Sequence, residues 1–296
     1  MARHTVQALR DRVSGSVITP DDAEYDEARK VYNAMIDKRP AVIVRCAGAE
    51  DVAAAVDHAR ENGLPLAVRG GGHSVPGFGT VDDGVVADLS GMREVTVDPA
   101  ARTARAQGGV TWGIFNDATN AHGLATTGGI ISTTGVAGLT LGGGIGYLAR
   151  GFGLSCDNLL SAEVVTADGR TVTASERDNE DLFWALRGGG GNFGVCTSLE
   201  FRVHPVDQIY GGPMLFEVDQ ARNVMEWFRG FIADAPEEFG GFPAWQIAPP
   251  LPFIPENRQG EMFSAFVACW AGPIEQGPSV LKPIQDRKST RLNSSH

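Results

Sequence analysis

Residues 69–74 read Arg-Gly-Gly-Gly-His-Ser, and this glycine-rich stretch decides the fold. Three successive glycines lack a Cβ atom, so the backbone can adopt left-handed angles and point several N–H groups at an anion. Apolar runs flank the stretch at 66–68 and 85–87, which predicts a loop between two buried strands. The pattern indicates a phosphate-binding loop that holds the imidazole of His73 beside the ligand. The alternative is a solvated turn with an incidental histidine.

The composition is typical of a globular protein with small-molecule partners. The chain has 296 residues, of which 43% are hydrophobic and 21% charged. A formal net charge of −11, without a basic cluster, argues against a nucleic-acid partner. Without a signal peptide or a membrane-spanning segment, we expect a cytoplasmic protein with no membrane partner. The cysteines show no C-x-x-C spacing, so neither a metal site nor a disulfide framework is predicted; they are Cys46, Cys156, Cys196 and Cys269.

The carboxyl-terminal residues 286–296 differ in character from the rest of the chain. They read DRKSTRLNSSH, carry almost no apolar periodicity and follow abruptly after Gln285. One reading frame of a common sequencing-library adapter encodes the same string. We therefore expect this tail to be an adapter-derived artefact and leave it out of the fold.

The order of the predicted elements indicates two α/β subdomains before residue 205. Strands at 41–46 and 65–68 enclose a helix at 50–62, in which His58 is expected on the solvated side. Placing the subdomain boundary near residue 105 divides the region into 25–105 and 106–205. Pro205 marks the end of this first domain, 1–205. A partial second domain follows over 206–285 and contains an amphipathic helix at 222–231 and a strand at 262–270.

Three glycine-rich segments fall in the first domain, at 69–74, 126–153 and 188–194. We expect no ordinary helix or strand in the second, because each glycine costs about 0.5–1 kcal/mol relative to alanine there. One long ligand with a pyrophosphate, a dinucleotide, explains three such loops better than three separate sites. Gly144, Gly146 and Ala149 also satisfy G-x-G-x-x-A, so a nicotinamide-dependent Rossmann dehydrogenase is the alternative.

The motifs LPLAVRGGGHSVPG, GVAGLTLGGGIGYLARGFGLSCDNLL and EDLFWALRGGGGNFGV occur in this order between residues 25 and 205. Together they resemble the flavin-linked oxidoreductases with a PCMH-type FAD-binding domain, specifically the berberine-bridge-enzyme-like branch of the vanillyl-alcohol-oxidase superfamily. The resemblance implies an α+β fold, in which a PCMH-type FAD-binding domain of two α/β subdomains is followed by the truncated start of an α+β substrate domain. It also implies FAD as the cofactor.

In that family the histidine of R-G-G-G-H is joined covalently to the flavin, so the resemblance makes His73 the predicted attachment site. Many members carry a second link from a cysteine at the position of Ile131 here, so we predict one covalent bond and no cysteinyl link. Cys156 lies too far along the chain to replace that cysteine. The implied cofactor-binding residues are Arg69, Gly70, Gly71, Gly72, His73, Ser74, Gly77, Thr133, Gly135, Gly138, Gly142, Gly143, Gly146 and Val195.

The implied reaction is removal of a hydride from a C–OH or C–N centre of a small organic substrate to the flavin, with molecular oxygen as the electron acceptor. The family's catalytic base belongs to the substrate domain, at positions beyond the end of this chain. We therefore predict no catalytic residue, and a flavin-binding fragment without turnover stays a second alternative.

Overall fold

The computed structural model describes residues 3–285 except 249, 251 and 253. The predicted artefact tail at 286–296 lies outside the described residues. The described residues form two compact units, one of the residues up to Gly146 together with Leu154–Pro205, and one of Tyr147–Gly153 together with the residues from Val206 onward. The sequence placed the segment 147–153 inside the first domain, whereas the structure groups it with the second.

The first unit begins with a four-stranded sheet around a parallel core. Its strands are β1 (Ser16–Ile18), β2 (Val42–Arg45), β3 (Leu66–Arg69) and β4 (Val85–Asp88), in the order β1-β2-β4-β3. β4 pairs in parallel with both β2 and β3, and β1 adds an antiparallel edge. The central strands are buried along their length, as expected of a parallel sheet covered on both faces. The helices of this part are α1 (Arg3–Arg10), α2 (Tyr25–Ala28) and α3 (Ala49–Glu61).

A second, antiparallel sheet of five strands completes the first unit. Its strands are β5 (Val95–Asp98), β6 (Thr103–Gln107), β8 (Leu159–Val165), β9 (Thr171–Ser175) and β10 (Val195–Arg202), in the order β5-β6-β10-β8-β9. The chain thus changes sheet before β5, whereas the sequence placed the boundary near residue 105. β6 pairs with β10, which follows it by about ninety residues, and local apolar patterning carries no signal for such a distant partner.

Short helices and a small ribbon connect these strands. They are α4 (Trp112–Asn120), β7 (Leu124–Ala125), α5 (Val136–Leu141), α6 (Ala149–Phe152), α7 (Glu180–Leu186) and β11 (His204–Pro205). The expectation that residues 126–153 hold no regular structure is wrong for two short stretches. α5 contains a single glycine between the glycines at 135 and 142, so the cost of glycine is small there.

His58 on α3 is buried, and our expectation of a solvated residue is wrong. Its side chain is 5% exposed, and Nε2 has no hydrogen-bond partner within the described residues. The cause is that α3 contacts β8 and β10 of the second sheet as well as β2 and β4 of the first. Because strands of both sheets pack against α3, little of the helix surface is left exposed to solvent.

Burial of His58 predicts acid-sensitive stability. Desolvation lowers the pKa of His58 below its ordinary value, so the folded state favours the neutral ring. The unfolded chain then binds this proton more readily, and stability falls as the pH drops from about 6.5 through the lowered pKa. Urea unfolding at pH 8 and pH 5.5 is expected to show a smaller acid loss in His58→Met than in the parent protein. An equal loss of unfolding free energy between pH 8 and pH 5.5 in the two proteins would show that His58 is not the source of the acid sensitivity.

The second unit is built on a three-stranded antiparallel sheet that packs against two helices, one of them rich in aromatic residues. Its elements are β12 (Tyr210–Phe216), α8 (Ala221–Asp234), β13 (Phe239–Ile247), β14 (Met262–Trp270) and α9 (Gly277–Gln285), with strand order β12-β14-β13. Trp227 and Phe231 of α8 stack on each other, and Trp227 and Phe231 meet Phe266 and Phe239 edge to face. Arg150 donates hydrogen bonds to the carbonyl oxygens of Ala235 and Pro236, just beyond the carboxyl end of α8.

Over the described residues, no helix combines the length and apolar character that a membrane crossing requires.

Candidate functional site

The first glycine-rich loop leaves the carboxyl end of β3 and returns to β4, as predicted. Gly72 takes a positive φ of 72°, which turns the chain in the way that glycine permits at least cost. Across the described part of the chain, the amide groups of Gly71, Gly72 and His73 donate no hydrogen bond. Successive free amides in a turned backbone form a concave anion-binding surface. The loop therefore supplies positive partial charge without a lysine or arginine head group.

The second glycine-rich segment touches the first backbone to backbone. A Cβ atom on Gly71 would lie 2.2 Å from the nitrogen of Gly135, and a Cβ atom on Gly135 would lie 2.4 Å from the nitrogen of Gly71. Gly135 immediately precedes α5, so this contact fixes the start of that helix against the loop. Two glycines are therefore required here by close approach of the main chains.

The third glycine-rich segment, 188–194, joins the same place. The amide of Gly190 donates to the carbonyl oxygen of Leu141 at 2.8 Å, which ties this segment to the end of α5. Val195 then begins β10, a buried strand of the second sheet. The three segments that the sequence singled out thus converge in the first unit.

A cleft of about 700 Å³ lies where these segments meet, a volume within the range of small-molecule sites. The predicted residues that line it are Arg69, Gly70, Gly71, Gly72, His73, Ser74, Gly135, Gly138, Gly142 and Val195. Gly77, Thr133, Gly143 and Gly146 do not line it. Gly146 instead allows a close backbone contact, since a Cβ atom there would lie 1.9 Å from the Gly128 oxygen. Gly77 has a positive φ of 78° and packs against Ile36.

Arg69 lines the cleft, but its guanidinium group is engaged elsewhere. Nη2 donates to the Asp88 carboxylate at 2.8 Å, and Nη1 donates to the carbonyl oxygen of Lys30 at 3.2 Å. Asp88 is 1% exposed and Arg69 8% exposed, so the ion pair is shielded from water. Arg69 therefore fixes the ends of β3 and β4, and the amides of the loop remain the groups that face an anion.

The imidazole of His73 is held on three sides. Tyr32 stacks on the ring with a centroid distance of 4.0 Å and an interplanar angle of 18°. Nε2 lies 2.9 Å from the hydroxyl oxygen of Thr133, and Nδ1 lies 3.3 Å from that of Thr134. Desolvation lowers the pKa of His73, which favours the neutral ring near pH 7. A neutral imidazole has a free lone pair and can act as a nucleophile.

Sequence reasoning missed two of these contacts. Tyr32 precedes His73 by about forty residues and lies in a segment without regular structure, so no periodic signal connects the two. Thr134 lies beside the predicted Thr133, and only the geometry shows that it lines the cleft and Thr133 does not.

The cysteines are poor candidates for a flavin link. Cys196 lines the cleft, but burial raises the pKa of its thiol to about 12, so it is protonated at neutral pH. Burial also raises the pKa of Cys156, which does not line the cleft. Ile131 stands at the position where many relatives have cysteine and is 48% exposed. Among the residues that the structure describes, no group of three or more acidic, histidine or cysteine side chains could hold a metal ion.

Comparison with known proteins identifies the class. Residues 40–175 match the family described as FAD binding domain. The (R)-6-hydroxynicotine oxidase of Paenarthrobacter nicotinovorans is 41% identical over 192 residues, 65% of this chain and 42% of that protein. The structure of 6-hydroxy-D-nicotine oxidase from Arthrobacter nicotinovorans matches with a TM-score of 0.84 at 30% identity, covering 96% of this chain and 61% of that one. BBE-like 1 of Physcomitrella patens matches with a TM-score of 0.84 at 27% identity, covering 97% and 60%.

The predicted resemblance is confirmed: the chain contains a PCMH-type FAD-binding domain of the kind found in FAD-linked oxidoreductases. Its structural neighbours include berberine-bridge-enzyme-like proteins, as the sequence motifs predicted. The family match supports FAD as the cofactor. The chain spans less than half the length of the curated oxidase and about three fifths of the solved chains.

The glycines of the cleft fit this cofactor. A Cβ atom on Gly138 or Gly191 would meet no atom within 4 Å, so both residues border open space. An FAD molecule bound there would meet bare backbone from the second and third segments, and the free amides of Gly71 and Gly72 in the first are suited to an anionic group.

The nicotinamide alternative is wrong. Its fingerprint requires a glycine-rich turn between the first strand and the first helix of a βαβ unit. Gly144 instead follows α5, a helix, and Ala149 begins α6 in the other compact unit. The match of residues 40–175 to an FAD-binding domain also supports FAD over a nicotinamide cofactor.

Proposed function

We propose that the protein is an FAD-dependent oxidase that carries its flavin on His73 through one covalent bond. The observation that carries the proposal is the placement of His73. Its imidazole lines the cleft beside the free amides of the first loop, is biased toward the neutral form, and is held on three sides. The thiol of Cys196, which also lines the cleft, is buried and protonated and is therefore a poor nucleophile.

The attachment step balances with dioxygen as the oxidant. One ring nitrogen of His73 would bond to the carbon of a flavin ring methyl group. The imidazole would give up its N–H proton and the methyl carbon one hydrogen, and the two electrons and two protons released would reduce one dioxygen to hydrogen peroxide. His73 would then be a neutral substituted imidazole.

A single link follows from the residues near the cleft. Ile131 has no nucleophilic atom, and Cys156 is buried outside the cleft. Because a second bond needs a thiolate within reach of the ring, we propose that His73 is the sole anchor.

The reaction class follows from the cofactor and the relatives. FAD held in the cleft would supply a hydride acceptor, which an electron-withdrawing substituent on its ring would strengthen. The relative named (R)-6-hydroxynicotine oxidase supports a small organic substrate and dioxygen as the final acceptor. The bond to be oxidised is proposed to be at a C–OH or C–N centre. In this chain the loop amides would bind the pyrophosphate, the Arg69–Asp88 pair holds the loop, and His73 would fix the flavin. A cytoplasmic location stays a prediction.

Replacing His73 by alanine tests the proposal. The parent protein is expected to stay yellow after acid denaturation, with an intact mass raised by one FAD less two hydrogens. The His73→Ala variant should lose all flavin on denaturation, because the Cys196 thiol, which also lines the cleft, is protonated. An exposed histidine, His122, provides the matched control, and His122→Ala should keep the added mass. Flavin that persists in His73→Ala, or parent protein that releases all its flavin, would overturn the proposal.

Oxidase activity is separated from FAD binding without turnover by a second measurement. Anaerobic addition of alcohols or amines is expected to bleach the 450 nm flavin band, as is usual for reduced flavin, and admission of oxygen should restore it with release of peroxide. Bound FAD that no such substrate reduces would favour a flavin-binding fragment.

A further inference from the structure

The two ring nitrogens of His73 face different surroundings. Nε2 meets the hydroxyl of Thr133 at 2.9 Å, and Thr133 does not line the cleft. Nδ1 meets the hydroxyl of Thr134 at 3.3 Å, and Thr134 does line the cleft. Nδ1 therefore contacts a residue that lines the cleft, and Nε2 contacts one that does not.

A neutral imidazole carries one proton, and the hydrogen bond at one nitrogen decides which nitrogen holds it. Only the nitrogen without the proton has a lone pair for bond formation. A hydroxyl oxygen can accept an N–H or donate to a lone pair, so both threonines suit either role. The shorter contact is with Thr133, which favours that hydroxyl as the acceptor of a held proton.

We propose that Thr133 is a positioning residue for flavin attachment, whose hydroxyl accepts the Nε2–H of His73 and so keeps the Nδ1 lone pair directed into the cleft. This inference rests on the proposed function, because it concerns the covalent step at the same histidine. It assigns Thr133 a role through His73 in place of the direct cofactor contact that the sequence suggested.

The remaining contacts suit this arrangement. Tyr32 covers one face of the ring and limits its rotation, and the Tyr32 amide donates to the Gly72 carbonyl oxygen at 3.1 Å. In the attachment step Nδ1 forms the bond to the methyl carbon, and the Thr134 hydroxyl moves off Nδ1. The proton that the imidazole finally loses is the one on Nε2, which Thr133 faces.

The test compares Thr133→Val, which keeps the shape and removes the hydroxyl, with Thr133→Ser, which keeps the hydroxyl. Thr133 is exposed, so neither change disturbs the core. FAD-free protein is prepared from riboflavin-starved cells and mixed with FAD in air, and acid-stable flavin is followed with time. We expect attachment in Thr133→Val to slow at least tenfold, with Thr133→Ser close to the parent rate. Flavin fluorescence quenching before denaturation measures noncovalent binding and should be similar in all three.

Nitrogen NMR of the FAD-free protein reports which ring nitrogen of His73 carries the proton. A purely structural role of Thr133 would leave this tautomer unchanged. With ¹⁵N-labelled histidine, the parent and Thr133→Ser should show the Nε2–H form at His73, and Thr133→Val a mixture of both forms. The Thr134→Val variant, which lacks the longer contact, should keep the Nε2–H form. If FAD attaches to the parent protein and Thr133→Val shows the same attachment rate and the same tautomer as the parent, this inference is overturned and the proposed function stands. A parent protein that binds FAD but never attaches it would overturn the proposed function instead.

Discussion

Gly71→Ala is expected to destabilise the protein by at least about 3 kcal/mol, the upper end of what overpacking costs, and to abolish FAD retention. The new Cβ atom would lie 2.2 Å from the nitrogen and 2.7 Å from the Cα of Gly135, and both atoms belong to main chain that cannot rotate aside. The first loop and the start of α5 would have to separate, which breaks the wall of the cleft. Urea unfolding and flavin content after gel filtration measure the two effects.

Gly230→Ala is the matched control for that change. Gly230 lies inside α8, and a Cβ atom there meets nothing within 4 Å. Alanine is better than glycine in a helix by about 1 kcal/mol, so this variant should be slightly more stable than the parent. Equal stability of Gly71→Ala and Gly230→Ala would contradict the close approach of the two glycine segments.

Asp88→Asn is expected to cost about 3 kcal/mol and to weaken FAD binding. The substitution leaves the Arg69 guanidinium buried with no carboxylate at 2.8 Å, and an uncompensated buried charge is strongly destabilising. Arg69 and Asp88 are paired residues at the ends of β3 and β4, so the loss acts directly where the first loop begins. Chemical denaturation and FAD titration of the two proteins check both effects.

A solvent-exposed ion pair serves as the control, because it separates the effect of removing a charge from the effect of leaving a buried charge without its partner. Asp168 and Arg170 form an ion pair with side chains 53% and 75% exposed. Water already solvates both groups, so Asp168→Asn should leave unfolding unchanged within error. If Asp88→Asn proves as harmless as Asp168→Asn, the Arg69–Asp88 pair does not hold the loop.

Local patterns in the sequence predicted many of the elements that build the site. The strands flanking residues 69–74 and the helix between the first two parallel strands follow from apolar periodicity. The three glycine segments were marked by composition, and the structure brings all three to one cleft. These features depend on residues that are close together in the sequence, which is why they could be predicted from the sequence.

Features that depend on distant partners were missed. The hairpin of β5 and β6 joins the second sheet because β6 pairs with β10, far along the chain. His58 is buried because a second sheet packs on the far side of α3, which no helical period reveals. Tyr32 reaches His73 through the path of an irregular segment. Pairing and packing between remote segments leave no local pattern, so only the folded structure shows them.

Peptide mapping of the denatured protein tests the central claim, that FAD is bound covalently to His73, most directly. Trypsin cleaves after Arg69 and Arg93, so one peptide of residues 70–93 contains the histidine. Tandem mass spectrometry should find the mass of one FAD less two hydrogens on His73, and the peptide of residues 106–150, which contains Ile131, should be unmodified. An unmodified 70–93 peptide from FAD-bound protein, or flavin on any other residue, would contradict the account.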